Sequence, residues 1–272
     1  MPTQAEKAET LRALHHRGRA FIIPNPWDAG TARLLTHLGF EALATTSVGL
    51  AFARGERLGV TGLEATLANC ADIVGASDLP VSADLENGFG DSPEDAARTI
   101  RGALDVGLAG GSIEDSTGRR DDPIYDMGLA VEKVRAAAEV VRGQAVPFQL
   151  VGRAENFLHG RADLADTIRR LQAYQEAGAD VLYAPGLTTA EQIRSVVTSV
   201  DRPVNVVMGL VGSDLSLREL SDLGVARISV GSALARRALG AFLEAAHEMA
   251  DLGTFTWAEK AASIREIEAA FV

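Results

Sequence analysis

The sequence predicts an α/β fold, a (β/α)8 TIM-type barrel with additional C-terminal helices. Eight short apolar segments recur about every 30 residues, the length of one strand and its crossover helix. Most of them lack strict alternation of apolar and polar residues, as expected of strands covered on both faces. The predicted strands are Phe21–Ile23, Ala42–Thr45, Val81–Ala83, Ser112–Ile113, Phe148–Val151, Val181–Tyr183, Val204–Val207 and Ile228–Val230.

A doubly wound parallel sheet is the alternative fold. It more often has fewer strands, and no strand-rich or linker segment interrupts the eight repeats here. The sequence contains no G-x-G-x-x-G after its first apolar segment and no G-x-x-x-x-G-K-[ST] motif. Because these loops bind the phosphates of nucleotides in such sheets, their absence favours the barrel.

The helices between the strands have recognisable ends. Ser92 precedes Pro93 and two acidic residues, an order typical of a helix N-terminus. A Ser or Thr followed three residues later by Glu predicts four further N-termini, in the pairs Thr61 and Glu64, Thr188 and Glu191, Ser216 and Glu219, and Thr256 and Glu259. Helices are predicted to end at glycines that precede an apolar residue, namely Gly39, Gly107, Gly178 and Gly224.

The C-terminal segment has a composition of its own. Ala233–Asp251 is predicted to be one long helix, and a second helix is predicted from Thr256 to Phe271. We predict a single barrel domain over residues 1–272, with residues 240–272 as its helical extension. The extension either docks on a neighbouring subunit or closes the bottom of its own barrel. Docking predicts burial against a partner of Trp257, Ile264, Ile267 and Phe271, the last three of which form an apolar stripe.

Composition excludes several classes of function. The 272 residues carry 26 Lys and Arg against 37 Asp and Glu, a net charge of −11. An acidic chain without a basic cluster is a poor nucleic-acid ligand, because phosphate neutralisation needs concentrated positive charge. Cys70 is the single cysteine, so no disulfide framework or cysteine-based zinc site is expected. No signal core or run of membrane-spanning length occurs, which predicts a cytoplasmic protein with no membrane partner.

Three carboxylates follow neighbouring predicted strands. Asp84 and Glu86 end the third strand, and Glu114 ends the fourth. In an ideal strand Asp84 and Glu86 point to the same side, towards the mouth of the barrel where the strands' carboxyl ends meet. Converging carboxylates repel one another unless they bind protons or share a cation, and an oxygen-only ligand set favours Mg²⁺, with Mn²⁺ also possible. The alternative is that these acids cap the helices that follow.

Other polar residues are expected at the same mouth. Arg153 ends the fifth strand and is suited to bidentate binding of a carboxylate or phosphate, although a salt bridge to Glu155 or Glu114 is the alternative. The backbone amides of Ser47, Val48 and Gly49 are candidates for an oxyanion hole, with an ordinary turn as the alternative. Two further candidates are Asn205 on the seventh strand, for substrate binding, and His159, the one histidine expected near the mouth.

These segments resemble the isocitrate lyase/phosphoenolpyruvate mutase superfamily. The resemblance rests on Ala83–Gly90 (ADLENGFG), Ser112–Asp115 (SIED), Gly152–Arg153 and the turn Thr45–Gly49 (TTSVG), and it extends from Phe21 to Leu239. It implies a barrel whose last helices exchange between subunits, usually in a tetramer. It also implies Mg²⁺ bound by Asp84, Glu86 and Glu114, largely through water, with Asp84 as the direct protein ligand.

The resemblance further implies a small 2-oxo or 2-hydroxy acid as substrate. Its carboxylate would be held by Arg153 and the amides of Ser47–Gly49, and a C–C or P–C bond would be made or broken through an enolate-like pyruvate. On this basis we predict Arg153, Asp84 and Ser47 as catalytic residues. The same three residues, with Val48, Gly49 and Asn205, form the predicted substrate-binding set.

The residues that move protons in the superfamily are changed. The loop Ser116–Pro123 has neither the Cys and His of the lyases nor the Lys and Asn-Ser of the mutases. Ala184-Pro185-Gly186 stands where the lyases have Glu and the mutases have a nearby His, and the usual aspartate is missing around Leu58-Gly59. The substrate-binding half of the site is therefore kept, and the specialised acid/base half is not.

Decarboxylation of a 2-oxo dicarboxylate such as oxaloacetate requires little beyond an electrophilic metal, an arginine and an oxyanion hole. The sequence therefore predicts a Mg²⁺-dependent C–C lyase of this class. One alternative is P–C chemistry on phosphonopyruvate-like compounds, and another is a catalytically weak protein that binds a 2-oxo acid. Arg119 and Arg120 are expected to attract the second carboxylate of the substrate when their loop closes.

Overall fold

The structure is a computed structural model that describes residues 2–209 and 212–271. Its parallel strands form one sheet in the order β1-β8-β7-β6-β5-β4-β3-β2, so the first and last strands are neighbours. The amide of Ala44 donates to the carbonyl of Pro24 at 2.9 Å, across the remaining gap between β1 and β2. The strands are β1 (Phe21–Ile23), β2 (Leu43–Ala44), β3 (Val81–Asp84), β4 (Gly110–Glu114), β5 (Gln149–Arg153), β6 (Val181–Tyr183), β7 (Val204–Val207) and β8 (Arg227–Ser229). The predicted TIM-type barrel is confirmed, and each predicted strand overlaps an observed one.

Helices cover the outside of this barrel. They are α1 (Gln4–His15), α2 (Ala29–His37), α3 (Ser47–Ala53), α4 (Leu63–Gly75), α5 (Pro93–Asp105), α6 (Met127–Arg142), α7 (Leu164–Ala177), α8 (Ala190–Val197), α9 (Leu217–Asp222), α10 (Ala233–His247) and α11 (Ile264–Glu268). In the part of the chain that the structure describes, no helix is long and apolar enough to cross a membrane.

Two of the five predicted helix N-termini are confirmed. The side chains of Ser92 and Ser216 cap α5 and α9. The predicted cap at Thr61 is wrong, because its hydroxyl donates to Glu56 at 2.7 Å and Gly62 precedes α4 instead. The predicted pair at Thr188 is displaced by one residue, since Thr189 caps α8 and pairs with Gln192.

The predicted glycine C-termini are confirmed by their left-handed backbones. Gly39, Gly107, Gly178 and Gly224 have φ angles of 83°, 89°, 112° and 86°. At Gly178 space also requires glycine, because a Cβ there would lie 2.5 Å from Nη2 of Arg142 and 2.8 Å from Cβ of Ala138. The glycine therefore allows α7 to end in close contact with α6.

Helix α1 covers the amino-terminal ends of the strands. Its Leu11 lies in the same buried cluster as Phe21 and Ile23, and a Cβ on Gly110 would lie 3.2 Å from the Leu11 side chain. The side chain of Gln4 donates to the carbonyls of Leu104 and Leu108, which precede β4. This end of the barrel is therefore closed by the first helix of the chain, so the C-terminal extension is not needed there.

The C-terminal segment is irregular after α10. A π-helical turn over Glu248–Leu252 and a 3-10 turn over Thr256–Lys260 precede α11. The predicted single helix from Thr256 to Phe271 is wrong. The Glu248 carboxylate accepts hydrogen bonds from the amide and hydroxyl of Thr256, and the final helix begins only after Ser263, whose side chain caps it.

Candidate active site

Three charged side chains lie at the carboxyl end of the sheet because of strand register. Asp84 ends β3, Glu114 ends β4, and Arg153 ends β5 directly opposite Glu114. On the next strands Arg153 pairs in register with Tyr183, and Tyr183 with Asn205. The structure thus brings together the residues predicted from separate strand ends. Tyr183 joins them, and an aromatic residue closing strand 6 was the one sequence signal for it.

Arg153 is the central cation of this group. Its Nη1 lies 3.2 Å from Glu114 Oε2 and 3.5 Å from Asp84 Oδ1, while its Nε lies 2.5 Å from Glu155 Oε1. The guanidinium lies over the Tyr183 ring, 4.9 Å from its centroid. The predicted alternative, a salt bridge to Glu155 or Glu114, is therefore confirmed. Burial alone would lower the pKa of Arg153, but Glu114 and Glu155 raise it well above its ordinary value.

The neighbouring acids are poorly solvated. Burial and the adjacent Asp84 raise the pKa of Glu86 to about 7. Burial also raises the pKa of Glu114 well above its ordinary value, and Arg153 opposes that shift. Because bringing several carboxylates together out of water favours protonation, a bound cation would restore their charged forms.

Glu86 reaches this group by a turn and not by strand geometry. Strand β3 ends at Asp84, the next residue Leu85 is buried in the core, and Glu86 has a left-handed φ of 47°. The prediction from ideal strand alternation therefore does not apply. The turn nevertheless holds Glu86 against both other acids, because its amide lies 3.4 Å from Asp84 Oδ1 and its carbonyl accepts from the Glu114 amide at 2.9 Å.

The acids do not form a ready-made metal cage. Over residues 2–209 and 212–271, no three His, Cys, Asp or Glu side chains cluster closely enough to hold a metal ion by themselves. Asp84 is bonded to Ser47 and Arg153, and Glu114 is turned towards Arg153. This arrangement fits a Mg²⁺ site with one direct carboxylate ligand and water-mediated contacts to the others, since Mg²⁺ keeps several waters. The assignment of Asp84, Glu86 and Glu114 stays a prediction.

The turn after β2 is tied to Asp84. The amide and the hydroxyl of Ser47 donate to Asp84 Oδ2, and the amide of Gly49 donates to the Thr46 side chain at 3.3 Å. Two of the three amides proposed as an oxyanion hole thus have partners within the protein. A Cβ on Gly49 would lie 2.6 Å from Thr46 Cγ2 and 2.9 Å from Trp27 Cβ, so this position requires glycine.

Asn205 lies inside the barrel. It is 1% exposed, and its Nδ2 donates to the Ser229 hydroxyl at 3.1 Å. Its Oδ1 is buried and has no hydrogen-bond partner in the described residues. An unpartnered buried oxygen is compatible with a ligand or water contact, and substrate binding by Asn205 stays a prediction.

Two residues missed as site components lie behind Arg153. Glu155 contacts its Nε, and Asp115 accepts a hydrogen bond from the Glu155 amide at 2.8 Å. His159 lies 3.5 Å from the other Glu155 oxygen, which confirms its position beside the mouth. The spacing of Arg153 and Glu155 along the strand end was the sequence signal for this contact.

The loop after β4 is held by an interaction that the sequence did not predict. Arg119 donates to both oxygens of Asp91 at 3.0 and 3.1 Å, and the Tyr125 hydroxyl also donates to Asp91. In this conformation Arg119 is paired with Asp91, and the expectation that it attracts a substrate carboxylate when the loop closes stays a prediction. Arg120 is exposed and forms no ion pair with any described residue.

Comparison with known proteins gives a consistent set of relatives. The profile of the family described as phosphoenolpyruvate phosphomutase matches residues 11–250. A solved protein of Burkholderia cenocepacia J2315, described as a lyase/mutase, is 59% identical with a TM-score of 0.96 and covers 99% of this chain and 96% of its own. An uncharacterized protein of Mycobacterium tuberculosis is 30% identical over 239 residues, which are 88% of each chain.

Relatives with named activities are more distant. A 2-methylisocitrate lyase of Bacillus subtilis is 27% identical over 82% of this chain and 74% of its own. An oxaloacetate decarboxylase of Bradyrhizobium is 27% identical over 82% of this chain and 77% of its own. The structure of phosphonopyruvate hydrolase in complex with oxalate and Mg²⁺ has a TM-score of 0.85 at 22% identity, over 99% of this chain and 95% of that one, which is a likeness of fold.

Proposed function

Because the chain belongs to the phosphoenolpyruvate phosphomutase family, within a superfamily that includes lyases, we propose that it is a Mg²⁺-dependent carbon–carbon lyase. Its substrate is a small 2-oxo dicarboxylate such as oxaloacetate, which it converts to CO₂ and an enolate of pyruvate. One observation carries the proposal: Arg153 lies buried beside Asp84 and Glu114 at the mouth of the barrel. The named activity of the oxaloacetate decarboxylase relative supports the choice of substrate.

The chain's own residues would bind and orient the substrate. Arg153 offers a planar set of N–H donors suited to the 1-carboxylate of a 2-oxo acid. Asp84, with Glu86 and Glu114, would hold Mg²⁺, which when bound withdraws electrons from a 2-oxo group. Loss of CO₂ leaves the electron pair of the broken C–C bond in the enolate, and solvent supplies the proton that completes pyruvate.

Loop chemistry supports decarboxylation over cleavage of a hydroxy acid. Breaking a C–C bond next to a hydroxyl group requires a base that removes the hydroxyl proton, whereas decarboxylation of a 2-oxo dicarboxylate requires none. Residues 116–123 supply no Cys, His or Lys. The second candidate is P–C chemistry on phosphonopyruvate-like compounds, which the family description favours. A weakly active protein that binds a 2-oxo acid is the third.

A homotetramer is the proposed assembly, with the C-terminal extension packed on a partner subunit. Large apolar side chains are exposed there, including Phe242 at 68%, Leu252 at 72% and Ile264 at 75%. Phe242 and Leu239 also line a 240 Å³ apolar groove that reaches Trp27 and Gly49 beside the site. Apolar surface of this extent on one segment favours a protein partner, and a second copy supplies a matching segment.

The test is a substrate panel with purified protein and Mg²⁺. Oxaloacetate, 2-methylisocitrate and phosphonopyruvate are assayed for pyruvate, and each rate is corrected for Mg²⁺ without enzyme. The proposal expects turnover of oxaloacetate that disappears in Asp84→Ala. Pyruvate and phosphate from phosphonopyruvate alone would favour the second candidate. A thermal shift with 2-oxo acids and no product would favour the third.

A further inference from the structure

Glu155 is a buried carboxylate directly beside the substrate-binding arginine. Its side chain is 5% exposed, and its Oε1 lies 2.5 Å from Arg153 Nε, closer than the contacts of Arg153 with Glu114 and Asp84. Its Oε2 lies 3.5 Å from His159 Nε2. The decarboxylation proposed above uses no chemistry of this carboxylate, so its close contact with Arg153 requires another explanation.

A second buried acid fixes Glu155 from behind. Asp115 is 2% exposed, and its Oδ1 accepts from the Glu155 amide at 2.8 Å. Its Oδ2 accepts from the Tyr174 hydroxyl at 2.6 Å and from Arg170 Nη1 at 3.0 Å. Because these groups are shielded from water, the hydrogen bonds that connect them hold the start of the β5 loop in one position.

These contacts leave Arg153 little freedom. Glu155 occupies the Nε edge of the guanidinium, and the Tyr183 ring lies under its face with a centroid distance of 4.9 Å. Its Nη1 lies at the mouth, where it meets Glu114 and Asp84. A donor that is already held in its binding orientation loses less conformational freedom when a ligand arrives.

We propose that Glu155 is a positioning residue for the ligand-binding arginine: it holds Arg153 by the Nε–H so that the Nη groups face the carboxylate of a bound 2-oxo acid. This inference rests on the proposed function for the identity of the ligand. The proposed effect of Glu155 on ligand binding depends on its hydrogen bond with the Nε–H of Arg153. This effect should therefore disappear when residue 153 has no Nε–H.

A double-mutant cycle of Glu155→Gln and Arg153→Lys tests that dependence. In the parent background Glu155→Gln lowers kcat/KM for oxaloacetate about 10-fold or more, as expected for loss of a charge-assisted hydrogen bond. In the Arg153→Lys background the same change has an effect of less than about twofold, because lysine has no Nε–H to position. Glu9→Gln removes the carboxylate from an exposed Arg–Glu pair of 2.8 Å and is the matched control, with unchanged kinetics. Equal factors in both backgrounds overturn the proposal.

A second measurement does not depend on turnover. In ¹⁵N-labelled parent protein the Arg153 Nε–H resonance, assigned by its loss in Arg153→Lys, is protected from exchange with water. In Glu155→Gln a neutral amide oxygen replaces the charged acceptor, so this protection weakens, and the affinity for oxalate with Mg²⁺, measured by calorimetry, falls about 10-fold. A parent that turns over no oxaloacetate contradicts the proposed function and leaves the resonance to decide the positioning role. An unprotected resonance in the parent overturns that role, even where Glu155→Gln does not fold.

Discussion

Ser47 donates two hydrogen bonds to one oxygen of Asp84, from its amide at 3.2 Å and from its hydroxyl at 2.8 Å. Asp84 ends β3 and Ser47 begins α3, so this contact ties two neighbouring β/α units together at the mouth of the barrel. It leaves Asp84 Oδ1 facing Arg153 at 3.5 Å. Ser47 thus orients Asp84 in this structure, and its part in an oxyanion hole stays a prediction.

Ser47→Ala is expected to lower kcat/KM for oxaloacetate about 10-fold and to raise the Mg²⁺ concentration needed for half-maximal activity. The variant keeps the amide contact but loses the hydroxyl contact with Asp84, and a hydrogen bond to a charged group contributes about 1.5–3 kcal/mol. Steady-state kinetics at a series of Mg²⁺ concentrations measures both effects. Ser195→Ala, on the exposed face of α8, is the control. Identical Mg²⁺ curves for the parent and Ser47→Ala would contradict the orienting role.

Those site residues that lie on strands of the sheet could be predicted from the sequence. Apolar segments located the strands, and parallel register then brought Asp84, Glu114 and Arg153 to one end. The position of Glu86 could not be predicted in this way, because the chain leaves the sheet after Asp84 and Glu86 has a φ angle of 47°. A left-handed non-glycine residue costs about 1–2 kcal/mol, so only contacts made by the folded protein can hold it there.

Two departures from the predictions share one physical cause, which is an acceptor outside the local motif. Thr256 matched a helix cap, but Glu248 accepts its amide and hydroxyl hydrogens. Arg119 was expected to attract a substrate carboxylate, and in this conformation Asp91 on the adjacent loop binds it. A local sequence pattern shows which hydrogen bonds a residue can form. It does not show which competing acceptor the folded chain brings close to that residue.

The two loop arginines are expected to differ in effect. Arg119→Ala and Asp91→Ala each break the same half-exposed ion pair, so each should change kcat/KM by no more than about fivefold. Asp91→Ala also removes the acceptor of Tyr125, so the double variant should be no worse than Asp91→Ala alone. Arg120→Ala should raise KM for oxaloacetate without lowering kcat, because this exposed cation has no ion-pair partner among the described residues. Steady-state kinetics of the four variants tests both expectations. Loss of kcat in Arg120→Ala would place a catalyst in the loop.

A charged side chain in the apolar surface of the C-terminal extension is expected to dissociate the proposed tetramer. The parent should sediment as a tetramer at micromolar concentration, and Phe242→Asp should sediment as a smaller species, because a carboxylate replaces a large apolar side chain in the proposed interface. The control is Leu38→Asp, at a side chain that is 71% exposed and directly follows α2, and it should leave the mass of the assembly unchanged. A monomeric parent would contradict the exchange of helices between subunits.

His15 is expected to make the folded protein less stable in acid. It is 4% exposed on α1, and neither ring nitrogen has a hydrogen-bond partner among the residues described. Burial, with a further contribution from the nearby positive charge of Arg227, lowers the pKa of His15 to about 3. Its unfolded value is about 6.5, so between these two values the unfolded chain binds a proton that the folded chain does not.

The free energy of unfolding should therefore fall as pH drops below 6.5, with His15 contributing about 1.4 kcal/mol for each pH unit down to the folded-state pKa. His15→Leu removes this contribution, and the difference between its denaturation profile and the parent's, measured by urea unfolding from pH 7 to pH 4.5, isolates it from the carboxylates that titrate in the same range. His37→Leu replaces an exposed histidine on another helix and is the matched control. If His15→Leu and the parent lose stability in parallel on acidification, then His15 is protonated in the folded protein and its burial is not what limits stability in acid.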